Sequence, residues 1–122
     1  MRRLAISMST VLIALGGFMA TAHASVVKAE HRYASKVGHY RRGGREMICL
    51  DHLWHAESDW NDNAVNPDSG AYGIPQANPS SWGRPYPLGR YRPQIRWGIR
   101  YIRSTYGAPC AGWHHELAYG WY

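Results

Sequence analysis

Apolar residues recur at steps of three and four in two stretches of this chain, the period of one helix face. Met47, Leu50 and Trp54 mark a helix expected from Arg45 to about Trp60. Ile95, Ile99, Ile102 and Tyr106 mark a second, with Pro93 in its first turn and Gly107 at its stop. A third, from about Ala111 to Tyr119, is more weakly patterned. Between the first two, Asn-Pro, Ser-Gly and Pro at close intervals give turn chemistry from Asn61 to Pro79, with room for a short strand or hairpin around Ala71 to Gln76. Trp82 to Arg92 reads as an irregular Pro- and Gly-rich loop. Residues 25–44 show no sustained apolar period and read as a basic flexible linker ending at Arg41-Arg42-Gly43-Gly44. The pattern therefore predicts a small α-rich domain over 45–122, with about three helices and a Gly/Pro-rich loop region beside the end of the first.

One residue breaks the logic of these stripes. Glu57 is the next member of the Met47–Leu50–Trp54 series, so a carboxylate sits on the buried face at its C-terminal end. Such a group is costly there unless it is neutral or paired. Asp51, Asp59 and Asp62 fall off that line and are expected in solvent.

The N-terminus adds a compartment. Arg2 and Arg3 precede an apolar run densest from Val11 to Ala20, and Ala22-His23-Ala24 is a small-x-small cleavage box. Residues 1–24 read as a signal peptide cleaved after Ala24, which makes the protein secreted or wall-associated, with no membrane anchor once the signal is gone. An uncleaved anchor is the alternative. An exported domain of this size benefits from a covalent staple, and export permits one. Cys49 and Cys110 are therefore expected to form a disulfide. A zinc site drawing on Cys49-x-x-His52 and Cys110-x-x-x-His114 is the alternative. No metal and no cofactor are expected.

The 14 Lys and Arg outnumber the 8 Asp and Glu. That balance favours an anionic polymer as partner. Nucleic acid is not expected, because the arginines are scattered and no recognition motif accompanies them. Beyond the signal, every aromatic is Trp or Tyr, six and nine of them. These rings combine an apolar face with a polar tip and suit sugar surfaces.

The segment Ala56-Glu57-Ser58-Asp59-Trp60-Asn61, with Asn66-Pro67-Asp68-Ser69-Gly70-Ala71-Tyr72-Gly73-Ile74-Pro75-Gln76 after it, resembles the core motif of lytic transglycosylases, the lysozyme-like enzymes that cut the glycan of peptidoglycan. Trp97-Gly98-Ile99-Arg100-Tyr101-Ile102, Tyr106-Gly107 and Pro109-Cys110 are similar to the compact actinobacterial and phage members. The resemblance spans about Arg45 to Tyr122 and implies an α+β lysozyme-like fold acting, as a monomer, on peptidoglycan glycan strands. It also implies Glu57 as the single catalytic acid and base, with Ser58 and Gln76 contacting substrate or orienting Glu57. Tyr72 and Trp82 would be sugar platforms. The substrate's own C6 hydroxyl would then attack, leaving 1,6-anhydromuramoyl ends. The chain departs from the family pattern twice. Pro75 stands where the turn usually has Met, and the late Ala-Tyr-Asn motif is absent, with Tyr119 or Tyr122 as candidates to stand in. Two other readings remain. A second carboxylate facing Glu57, with Asp68 the candidate to assist, would favour a water-using muramidase. A Glu57 fully exposed or locked to an arginine would favour a non-catalytic wall-binding module.

Overall fold

The computed structural model describes residues 27–122, so the expected signal peptide and its cleavage point lie outside the described residues. Among those residues the chain forms α1 over 27–38, α2 Arg45–Ser58, α3 Pro79–Trp82, α4 Tyr91–Tyr106 and α5 Pro109–Tyr119. The α-rich class follows the sequence pattern, with two more helices than it predicts.

Helix α1 corrects the expectation of a flexible linker at 25–44. Its inward face steps through Val27, Glu30, Ala34 and Val37, with Glu30 and Ala34 buried and the two valines half-buried. Only two of those four positions carry a large apolar side chain, so the period does not register in the sequence. Ser35 Oγ donates to the Tyr40 carbonyl at 2.7 Å and fastens the end of the helix.

The core is built by α2 and α4, with α5 packed across both. Leu50, Leu53 and Trp54 of α2 and Ile95, Ile99 and Ile102 of α4 are fully buried, each such side chain contributing about 1.5–3 kcal/mol. Gly98 makes room for the Trp54 ring and for Pro75. A Cβ built there would lie 2.6 Å from a Trp54 ring carbon and 2.9 Å from the Pro75 Cβ. Cys49 and Cys110 form a disulfide, 61 residues apart in sequence, joining the early part of α2 to the start of α5. The bridge takes both sulfurs that the zinc alternative required. Beside it, Glu46 Oε2 accepts the Cys110 N–H at 2.9 Å, placing a carboxylate at the N-terminus of α5 where the helix dipole favours it.

The loop region from 59 to 90 has no strand ladder. The expected hairpin reduces to two isolated antiparallel pairs, Val65 with Tyr72 and Tyr72 with Ala77. Side chains supply the order instead. Tyr72 Oη donates to the Tyr86 carbonyl at 2.9 Å, and Tyr86 Oη returns a bond to the Tyr72 carbonyl at 2.8 Å. Gln94 of α4, wholly buried, accepts the Ile74 N–H at 2.8 Å and donates to the carbonyls of Asp62 and Pro87, both at 2.9 Å. Gly73 is required at the crossing: its φ is +72°, and a Cβ would stand 2.7 Å from Gln94 Oε1.

Candidate active site

The end of α2 is fixed before any chemistry is considered. Asp59 and Trp60 both adopt left-handed backbone, with φ of 53° and 56°. For non-glycine residues that conformation costs on the order of 1 kcal/mol each and needs support. Trp60 provides it. The ring is buried, packs edge-on to Trp54 at 5.0 Å and against His31 at 4.2 Å, and donates from Nε1 to Asp51 Oδ1 at 3.0 Å. One residue earlier, Ser58 Oγ donates to the Ile74 carbonyl at 2.8 Å. Helix end and loop are thereby tied on either side of Glu57.

Glu57 is half-buried at this junction. Its carboxyl is pushed up from 4.5 to about 7, first by burial and then by Glu116. Glu116 comes from α5, and its buried Oε2 has no hydrogen-bond partner. Burial and the nearby Glu116 charge both disfavour the ionised form of Glu57, so it holds its proton more tightly than a free carboxyl does. At neutral pH roughly half of the molecules hold Glu57 protonated. No arginine or lysine pairs with a carboxylate among the described residues, so no cation opposes this effect through an ion pair.

Two tyrosines border the pair. Tyr122 Oη accepts from Trp54 Nε1 and donates to the Pro75 carbonyl, both at 2.9 Å. Burial first, and then the Glu57 carboxylate, push its hydroxyl up. Tyr106 Oη is buried without a hydrogen-bond partner, close to Tyr101 and both carboxylates. From here a row of rings leads outward. Tyr101 packs edge-on to Tyr122 at 5.7 Å and stacks on Trp97 at 5.3 Å, and Trp97 meets Trp82 at 5.7 Å. Trp82 is 54% exposed and ends the row at the surface.

The sequence-predicted residues distribute unevenly around this centre. Ser58 adjoins it, with its hydroxyl spent on the loop. Gln76, at φ 52°, donates from Nε2 to the Gly73 carbonyl at 2.8 Å and leaves Oε1 free of protein partners. Tyr72 is only 2% exposed and packs with Ala77 and Tyr86 in a second small core. Its burial withdraws it from the role of surface sugar platform. Asp68 is exposed in its turn, its N–H bonded to Asn66 Oδ1 at 2.9 Å.

Glu116, Tyr106 and Tyr122 are what the sequence reading did not assemble. The count of one well-placed carboxylate near the site is corrected to two. Glu116 follows Pro109 by seven residues and Gly112 by four, so it shares their face of α5, but proline and glycine do not register as an apolar stripe. Of the two candidates for a late tyrosine, Tyr119 is 68% exposed and Tyr122 is the one beside Glu57. Comparison with known protein families, curated proteins and solved structures finds no match to this chain. Among the described residues, no three His, Cys, Asp or Glu side chains gather as a set of metal ligands. The arrangement is suited to proton transfer beside a partly wet, aromatic-lined surface.

Proposed function

We propose that this protein is a secreted, monomeric lytic transglycosylase of lysozyme-like fold that cleaves the MurNAc–GlcNAc β-1,4 bond of peptidoglycan. The observation that carries the reading is Glu57, a carboxyl at the end of a buried stripe, raised to about 7 and poised to give and regain a proton near neutral pH. Neither arrangement favouring a non-catalytic module is present, since Glu57 is not fully exposed and has no arginine partner.

In this mechanism protonated Glu57 gives its proton to the glycosidic oxygen as the bond from the anomeric carbon breaks. The GlcNAc hydroxyl leaves. The muramoyl C6 oxygen then bonds to the anomeric carbon, and its proton passes to the Glu57 carboxylate, which restores the acid. Burial, and then Glu116, favour the protonated form of Glu57 before substrate arrives. The C6 hydroxyl belongs to the bound molecule, and such positioning replaces much of what a separate base would add. Trp82, Trp97 and Tyr101 offer the glycan a row of ring edges and faces.

A second reading rests on Glu116 itself. A hydrolase needs a second carboxylate, separated from the acid by about 5–10 Å so that water or the anomeric carbon fits between. Glu116 is such a second carboxylate beside Glu57, the arrangement that favours a muramidase, and the two readings differ in their products. Digestion of peptidoglycan in ¹⁸O-labelled water, followed by mass spectrometry of the fragments, separates the two. Unlabelled 1,6-anhydro ends support the proposal, and label at the anomeric carbon overturns it in favour of a muramidase using Glu116.

A further inference from the structure

Some of the basic residues that are scattered in sequence gather in space. All of the 14 Lys and Arg except Arg2 and Arg3 lie among the described residues, and none of those pairs with a carboxylate. Five of them line two adjoining grooves of about 550 and 340 Å³ at the start of α4, the second of which reaches α1. Arg90, Arg92 and Arg96 line the first groove, and Arg32, Lys36 and Arg92 the second. Tyr91 and Arg92 are shared between them, and no carboxylate lines either.

Two of the guanidinium groups, those of Arg92 and Arg96, are held by tyrosines rather than by acids. Arg96 Nη1 donates to Tyr33 Oη at 2.7 Å. The Arg92 guanidinium carbon lies 5.5 Å from the Tyr33 ring centre and 5.9 Å from that of Tyr91. Positioning of this kind leaves the positive charge uncompensated while restricting the side chain, which lowers the ordering cost of binding an anion. Guanidinium forks match phosphate oxygens two at a time, an advantage of arginine over lysine. Two grooves in a row, joined at one arginine, fit a chain that repeats its charge. The grooves share no lining residue with Glu57, Glu116, Tyr106, Tyr122 or the row of rings from Tyr101 to Trp82.

We infer that the α1–α4 grooves bind a polyol chain linked by phosphodiesters, engaged through its phosphates, that docks the protein on the wall while Glu57 acts elsewhere. The choice of a wall polymer over other polyanions rests on the function proposed above; the phosphate chemistry does not.

The test measures binding of a short synthetic poly(glycerol phosphate) to the full chain. Arg90→Gln combined with Arg92→Gln removes two exposed cations and buries nothing unpaired. A cation near an anionic surface is worth about fivefold in affinity, so the pair should weaken binding about twenty-five-fold. Arg45→Gln with Arg84→Gln changes net charge equally at residues that line neither groove, and should stay within about twofold at physiological salt, where exposed charges outside the contact are largely screened. Wild-type affinity should fall steeply as salt rises, a readout that needs no variant. Equal losses in the two variants, or no binding at all, would overturn the site. Tighter binding to single-stranded DNA of equal charge, or to vesicles of anionic lipid, would overturn the choice of partner. Glycan cleavage is not read in this assay, so an inactive protein that still binds refutes the enzyme alone, and an active one that does not bind refutes only the grooves.

Discussion

Glu30→Gln should stabilise the protein at pH 8 and destabilise it by about 1 kcal/mol at pH 4. Glu30 is 1% exposed on the inward face of α1, and its Oε2 has no hydrogen-bond partner. Burial, and then the charge of Asp62, raise its carboxyl from 4.5 to about 7. A raised folded-state value means that the native protein holds this proton more tightly than the unfolded chain does. Below pH 4.5 the group is protonated in both states and contributes nothing. Between 4.5 and 7 stability is lost as the unfolded chain ionises more readily, and above 7 the loss is complete. At 1.36 kcal/mol per pH unit, the rise from 4.5 to about 7 amounts to about 3 kcal/mol. Glutamine keeps the shape and removes the charge, while its buried amide gives back about 1 kcal/mol for imperfect pairing. The net gain at pH 8 is about 2 kcal/mol, or roughly 10 °C in Tm for a domain of this size. Thermal unfolding of both proteins across this range gives the difference curve directly. A difference that is flat with pH, or a variant less stable at pH 8, would refute the account of Glu30.

Glu57→Gln should abolish glycan cleavage, a loss of roughly 10²–10⁴-fold in muropeptide release, and should itself raise stability at pH 8 by the same linkage. Gly98→Ala should destabilise by about 1–3 kcal/mol despite a helix-propensity gain of about 1 kcal/mol, because the new Cβ meets the Trp54 ring at 2.6 Å; a more stable variant in urea unfolding would show that the approach is loose. Tyr122→Phe should cost about 1–3 kcal/mol by leaving Trp54 Nε1 and the Pro75 carbonyl unpaired, and an unchanged unfolding midpoint would refute that bridge. Replacing Cys49 and Cys110 together by serine should lower stability by about 4 kcal/mol in the chain-entropy model, checked by urea unfolding with and without reductant.

The sequence announced its helices wherever large aliphatic residues carried the period. Met47–Leu50–Trp54 and Ile95–Ile99–Ile102 are such stripes, and continuing the first of them led to Glu57. It was silent where the buried face used other chemistry. Glu30 and Ala34 hid α1, and Pro109 and Gly112 hid the face of α5 that carries Glu116. Contacts made at long range were also beyond a pattern of three and four. Ser58 and Ile74 are adjacent only because the Gly73 crossing returns the loop to α2. Tyr72 misled for a related reason: its ring suits a sugar, but its hydroxyl has a partner in Tyr86, and that exchange belongs to the interior.

Gln94 carries a consequence for time rather than for energy. The segment around Gly73 and Gln76 has no strand ladder, yet its amides are not left to solvent. The N–H of Ile74 is held by Gln94 Oε1, and that of Ala77 by Tyr86 Oη and the Tyr72 carbonyl. Exchange of these hydrogens for deuterium requires an opening that also frees Gln94, a residue of the central helix. The floor of the site should therefore exchange as slowly as the helices beneath it, opening with the fold rather than breathing ahead of it. A glycan strand would meet a surface already in its working shape, and adaptation on binding would fall to exposed Trp82 and the substrate itself.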